Sequence, residues 1–212
     1  LALLSASKYL SGAAVSMGGL IVDTGRSDWS AFKGVNLDEY RQKGEYALLA
    51  KLRGQMMADV GPNLAPLSAF LQLVGLEHLS LRVNQQCANA LEVARFLAAQ
   101  PGVQQVLYPG LPRDEFHQVA KRQYHDRYGS MLAFRLEDRK ACFAFLNRLR
   151  VIKRATNLGD TRSIAIHPAS TIYATLWKPE QEQLGITEDL IRLSVGIEHA
   201  EDLKEDLAQA LG

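Results

Sequence analysis

Residues 1–12 read Leu1-Ala2-Leu3-Leu4-Ser5-Ala6-Ser7-Lys8-Tyr9-Leu10-Ser11-Gly12. The apolar run at the start predicts a short buried strand that ends where the serines begin. Lys8 then stands at the mouth of that strand between two hydroxyls, and small residues follow as far as Gly18-Gly19. A poorly hydrated lysine presents an amine that can act as a nucleophile. Ser5 and Ser7 are neutral donors able to hold a phosphate beside it. The same octamer also reads as a solvated lysine in a polar turn, and by itself it leaves both readings open.

Outward from this stretch, Leu20-Ile21-Val22-Asp23 predicts a second strand, and residues 27–63 are mixed. Tyr46 to Met57 predicts a helix interrupted near Gly54, and Pro66 marks the first turn of another. The clearest periodicity lies between Gly75 and Gln100. There Leu76, Leu79, Val83, Cys87, Ala90, Leu91, Ala94 and Leu97 recur at three or four residues, and Arg82, Gln86, Asn89 and Glu92 fill the other face. This reads as a scaffold helix, ended by Pro101-Gly102.

From Val103 the pattern changes to strands alternating with helices. Strands are expected at 103–108, 131–136, 164–166 and 190–195, and helices at 115–123, 140–150 and 201–211. That alternation argues an α/β or α+β layer. A domain boundary is placed near residue 100, dividing the chain into 1–100 and 101–212.

The bulk properties exclude several classes. The 212 residues suffice for one large domain or two small ones, and 47% hydrophobic with 22% charged content is ordinary for a globular protein. A formal net charge of +1 gives no case for nucleic acid or an anionic membrane. Cys87 and Cys142 fall in half-apolar helical contexts and read as reduced core thiols of a cytoplasmic protein. The histidines show no metal-ligand spacing, so no metal is expected. No apolar run approaches the roughly 20 residues of a membrane span. The chain opens on Leu1 inside an expected core strand, which predicts the C-terminal portion of a longer protein.

Two further segments carry chemistry. In Leu190-Ile191-Arg192-Leu193-Ser194-Val195, period two puts Leu190, Arg192 and Ser194 on one face and Ile191, Leu193 and Val195 on the other. A guanidinium in such a strand needs an anion, and its planar fork matches a carboxylate. The alternatives are a solvated edge-strand arginine or a local ion pair. Asn157-Leu158-Gly159-Asp160 could present an amide and backbone N–H groups to an anion. His167 could serve as an acid or base and Tyr9 could sit beside a cofactor, but both read better as packing residues.

An amine beside a phosphate cradle is what pyridoxal phosphate requires. Taken together, these segments resemble the Cys/Met-metabolism family of pyridoxal-phosphate-dependent enzymes, the cystathionine γ-synthase-like group. Residues 5–12 leading to Met17-Gly18-Gly19 are similar to its Schiff-base motif. Asn157-Leu158-Gly159-Asp160 with His167-Pro168-Ala169-Ser170 is similar to its carboxylate-binding loop, and residues 191–198 to its late arginine strand. The resemblance spans essentially the whole chain, and the order of its motifs resolves Lys8 and Arg192 in favour of chemistry. It implies an α/β fold: the end of the large domain of fold type I transferases followed by a smaller α+β domain.

Within the family, the Asn157 loop and residues 194–199 resemble the O-acetylhomoserine sulfhydrylase branch. The resemblance implies a transferase of transsulfuration and methionine biosynthesis that makes homocysteine from O-acetyl-L-homoserine and sulfide. O-succinylhomoserine sulfhydrylase and methionine or cystathionine γ-lyase activities are the neighbouring alternatives. An assembly domain or degenerate partner subunit is the non-enzymatic one. Lys8, Ser5 and Ser7 are then the cofactor-binding residues, Lys8 the catalytic amine, and Arg192 with Asn157 the substrate-carboxylate clamp. A homodimer or homotetramer is implied. So are a glycine-rich phosphate loop, a stacking aromatic and a pyridine-pairing aspartate before Leu1, without which the 212 residues alone are expected to be inactive. Three positions depart from the family pattern: Ser7 stands for threonine, and Ala13 and Tyr173 stand for histidines.

Overall fold

The computed structural model describes residues 1–29, 31, 32 and 36–212, so the expectation for 27–63 is met by structure only outside 30 and 33–35. Ala2–Ser5 (β1) pairs antiparallel with Gly19–Val22 (β2), with Leu3 opposite Ile21 and Leu4 opposite Leu20. The burial expected of β1 is corrected. Leu3 is 71% exposed, and Leu4, Leu20, Ile21 and Val22 are exposed as well. Consecutive apolar residues point to both faces of a ribbon, and the described residues leave both faces largely open. A turn over Ala6–Leu10 follows β1 and leaves helical geometry at Lys8 (φ −103°, ψ −120°).

A 3₁₀ segment at Asp38–Tyr46 leads into Ala47–Lys51 (α1), a widened turn at Leu52–Met56 that contains Gly54, and Met57–Val60 (α2). The expected interruption near Gly54 is thus a widening of the helix. Left-handed Gly61 (φ 70°) closes the run. Pro66–Glu77 (α3) begins on its proline, as expected, and Leu79–Ala98 (α4) follows after a break at His78. One long helix was expected from Gly75 to Gln100, so the periodicity overran a helix boundary. Gly75 allows α3 to rest on the Lys8 turn: a Cβ there would lie 2.5 Å from the Ser11 carbonyl and 2.6 Å from that of Leu10.

The remaining elements are Gln105–Leu107 (β3), His117–Tyr124 (α5), Met131–Arg135 (β4), Arg139–Arg148 (α6), Lys153–Arg154 (β5), Ile164–Ile166 (β6), Lys178–Gln183 (α7), Leu190–Ser194 (β7) and Ala200–Leu211 (α8). They build a mixed sheet in the order β3-β4-β7-β6-β5, parallel only between β5 and β6. The short β5 and α7 were not anticipated. Arg192 lies on the central strand, opposite Ala133 of β4 and Ile166 of β6, which removes the solvated edge-strand alternative. Ile191, Leu193 and Val195 enter a core shared with Val93, Leu97, Phe134, Phe145, Leu203 and Leu207. Both cysteines are free and buried; burial pushes the Cys142 thiol up to about 12, with the nearby carboxylates of Asp189, Asp138 and Glu188 adding to it. Among the described residues no cluster suits a metal ion, and no helix is long and apolar enough to cross a membrane.

One buried carboxylate secures the turn from α6 to β5. Asp206 of α8, 4% exposed, accepts from the backbone N–H groups of Arg150 (2.8 Å), Val151 (3.0 Å) and Ile152 (2.8 Å). Asp206→Ala strands these donors and should cost about 3 kcal/mol on the scale of charged hydrogen bonds and unsatisfied buried groups. Denaturant unfolding checks this: the midpoint should fall, and an unchanged midpoint contradicts the assignment.

Candidate active site

Lys8 lines a cavity of about 590 Å³ together with Ser5, Tyr9, Leu79, Val83 and Leu158. Ser5 therefore faces the same space as the amine. Ser7 does not line it. Its hydroxyl accepts from the Gly18 N–H (3.0 Å) and donates to the Gly18 carbonyl (3.4 Å), closing the loop behind the lysine. Of the two serines read as phosphate anchors, one opens on the cavity and the other is engaged by its own turn.

The Lys8 amine donates to Asn157 Oδ1 at 2.6 Å, although 149 residues separate the two. The backbone carbonyl of the same asparagine accepts from Arg192 Nη2 at 3.1 Å. The period-two reading of β7 places this correctly. Arg192 and Ser194 share a face, and Ser194 Oγ accepts from the Gly159 N–H at 3.0 Å. Gly159 has φ 68°, and a Cβ on it would lie 2.9 Å from the Tyr9 ring and backbone nitrogen. Only glycine lets the 157–160 loop lie this close to the lysine turn. Thr161 completes the seam by donating its N–H to the Gly12 carbonyl at 2.8 Å. Lys8, Asn157 and Arg192, read from three separate motifs, are brought together.

Burial lowers the affinity of the Arg192 guanidinium for its proton, opposed by the neighbouring Tyr173 phenol. Arg192 Nε is buried with no hydrogen-bond partner among the described residues. Its one described acceptor is a neutral carbonyl, not the carboxylate of a local ion pair. Beside Lys8, burial pushes the Tyr9 phenol up, and its 2.7 Å hydrogen bond with Ser130 Oγ works against that. His167 is buried between Ser170 Oγ (2.8 Å) and the Glu188 carbonyl (2.9 Å), as befits a packing residue. At the end of the loop, burial pushes the Asp160 carboxyl up. Hydrogen bonds from the Arg162 side chain (3.1 and 3.0 Å) and backbone N–H (3.0 Å) outweigh this and hold it below the usual carboxylate range.

Sequence reading missed Ser130, the hold of Ser194 on Gly159 and the inner face of α4. Gln86 is 0% exposed and Asn89 is 1% exposed. Their donors reach the Asp160 carbonyl (2.6 Å) and the carbonyls of Gly196 (3.1 Å) and Glu198 (2.7 Å). The available signal was the neutral amide stripe itself, where a solvated helix face would be rich in Lys and Glu.

A family model described as Cys/Met metabolism PLP-dependent enzyme matches residues 1–212. The chain belongs to this family. It is similar to O-acetyl-L-homoserine sulfhydrylase 1 of Thermus thermophilus, 38% identical over 220 residues that cover 98% of this chain and 52% of that protein. Among solved structures it superposes on the O-acetylhomoserine (thiol)-lyase of Campylobacter jejuni, solved with a pyridoxyl-lysine-5'-monophosphate, with a TM-score of 0.88 and 31% identity over 99% of this chain and 53% of that one. It likewise superposes on the O-acetylhomoserine sulfhydrylase of Wolinella succinogenes, with a TM-score of 0.84 and 39% identity over 99% of this chain and 56% of that one. The chain spans about half the length of the curated relatives it matches. The α/β fold expected from the resemblance is the fold of these enzymes over the shared portion.

Asp160 gives the seam a pH dependence of definite sign. A carboxyl held below its unfolded value of about 4 stabilises the fold above that pH, and the contribution is lost on acidification through the folded value. Without the Arg162 side chain, burial is opposed by only the backbone N–H of residue 162 and the Thr161 hydroxyl, so the charged form of Asp160 loses support at neutral pH. Arg162→Met should therefore lower Tm most at pH 7, with the gap to the parent narrowing as the pH falls to about 4. A gap of equal size at both pH values contradicts this account.

Proposed function

We propose that this chain contributes to a pyridoxal-phosphate-dependent sulfhydrylase that converts O-acetyl-L-homoserine and sulfide to homocysteine and acetate. The observation that carries the reading is Asn157, which links the Lys8 amine to the Arg192 guanidinium. The residues fit the cofactor: Lys8 and Ser5 face one cavity, and a buried Arg192 Nε lacks a partner among the described residues.

Bound pyridoxal phosphate supplies an electron sink for charge that develops on the substrate carbons. Lys8 is the residue to which it attaches, with Ser5 and, after release of Gly18, Ser7 as phosphate donors. Arg192 offers Nε and Nη2 as a fork to the substrate carboxylate, and Asn157 adds its amide. Holding the carboxylate in this way orients the Cα–H bond and keeps the carboxylate away from water. Lys8 Nζ, once free, takes the proton from Cα and then moves a proton at Cβ as general base and acid. Acetate leaves from Cγ, and sulfide adds there.

Residues 1–100 are proposed to finish the large domain and 101–212 to form the small one. The boundary falls just after α4, whose C-terminal half supplies Ala90, Val93, Ala94 and Leu97 to the core around the mixed sheet. A homodimer or homotetramer is supported by exposed apolar residues on β1, β2 and α3, including Leu67, Phe70 and Leu73. The two buried free thiols support a cytoplasmic setting.

Turnover of the full-length protein with O-acetylhomoserine, sulfide and added pyridoxal phosphate tests the reading. Homocysteine should form. Ammonia and a 2-oxo acid would identify a γ-lyase instead, and absence of a visible cofactor band would favour a non-catalytic subunit. Lys8→Ala should abolish turnover. Arg192→Ala should lower kcat/KM by about a hundredfold or more, and an unchanged value contradicts the clamp.

A further inference from the structure

The same face of α4 holds every segment that bears a proposed site residue. Arg82 donates through Nη1 to the Tyr9 carbonyl (2.9 Å) and through Nη2 to the carbonyls of Leu10 (3.3 Å) and Gly75 (2.6 Å). It therefore fixes the turn immediately after Lys8 and locks it to α3. One helical turn on, Gln86 Nε2 donates to the Asp160 carbonyl, three residues after Asn157. Asn89, nearly one turn further, holds the Gly196 and Glu198 carbonyls just beyond the strand of Arg192. Positions 82, 86 and 89 are spaced by four and three residues and so lie on one helical face.

These contacts are costly features for a helix that only packs. Gln86 Oε1 is buried without a partner among the described residues. Among the described residues the guanidinium of Arg82 has only neutral carbonyls as hydrogen-bond acceptors, and burial lowers its proton affinity. Gly12 makes room for it: with φ 73°, a Cβ at that position would fall 2.2 Å from Arg82 Nη1. Backbone carbonyls are what all three side chains grip, so the stripe controls where the loops lie, independently of the side chains those loops display.

We propose that α4 is a rigid jig in which Arg82 and Gln86 are positioning residues that set the Lys8–Asn157 contact, with Asn89 fixing the Arg192 strand in the same frame. The inference rests on the assignment of Lys8, Asn157 and Arg192 given above. Misplacement by a fraction of an ångström at a site held for proton transfer costs rate more than binding.

The test uses the full-length protein with pyridoxal phosphate. Gln86→Met keeps the length of the side chain and removes its donor; Arg82→Lys keeps the charge and loses the fork. Each should weaken the visible circular dichroism of the bound cofactor, which reports its asymmetric placement. Each should also lower kcat by about tenfold to a hundredfold, with KM changed much less. In an Asn157→Ala background the loss caused by Gln86→Met should shrink, because the contact it positions is already gone. Variants that lower Tm while leaving the circular dichroism and kcat intact overturn the proposal, as do losses that multiply undiminished in the double variant. If Gln86→Met fails to fold, Arg82→Lys decides. A parent protein without any visible cofactor band contradicts the assignment of Lys8 instead, which separates the two failures.

Discussion

Asn157 has two oxygens, and each faces a basic group: its amide oxygen takes the Lys8 amine and its carbonyl takes Arg192. The rest of the structure is arranged so that this residue can stand between a turn near the start of the chain and a strand near its end. An aspartate in the same place would set a carboxylate against the Lys8 amine and hold it in an ion pair. The asparagine side chain accepts from Lys8 without adding charge, and its neutral backbone carbonyl leaves the positive charge of Arg192 available to an incoming anion. The buried Nε of Arg192, unpartnered among the described residues, marks the same unfulfilled demand.

Close backbone approach makes that meeting geometrically possible. Gly159 lies against Tyr9, Gly75 against the carbonyls of residues 10 and 11, and Gly12 against Arg82. Around these contacts the polar side chains of α4 reach for main-chain carbonyls, and the mixed sheet holds Arg192 on its central strand. The apolar face of β7 enters the core while its polar face meets the loop. A single strand therefore joins stability to the site: Ile191 and Leu193 fix its height, and Arg192 and Ser194 use it.

Much of this was legible in the sequence. Period two predicted which side of β7 Arg192 shares with Ser194, and the order of the Lys8, Asn157 and Arg192 motifs pointed to one family and one site. The β-strands of the mixed sheet, apart from the two-residue β5, were visible as short alternating runs. What stayed hidden depends on the neighbours of an element. The run Leu1–Leu4 has the composition of a buried strand, yet its burial requires layers that the described residues do not supply. A 3.6-residue period continues across His78, so the end of α3 read as the start of α4. Ser7 looked free because the sequence does not reveal that the Gly18 peptide turns back to meet it. Gln86 and Asn89 looked like an outer face because polarity alone does not distinguish solvent from a wall of carbonyls.

The most direct measurement of the central claim is covalent. The full-length protein, loaded with pyridoxal phosphate and reduced with borohydride, is digested and its peptides are weighed. The account predicts one pyridoxyl-modified lysine, in the peptide that contains Lys8, and none when Lys8 is replaced by alanine. Modification at another lysine, or at none, contradicts it.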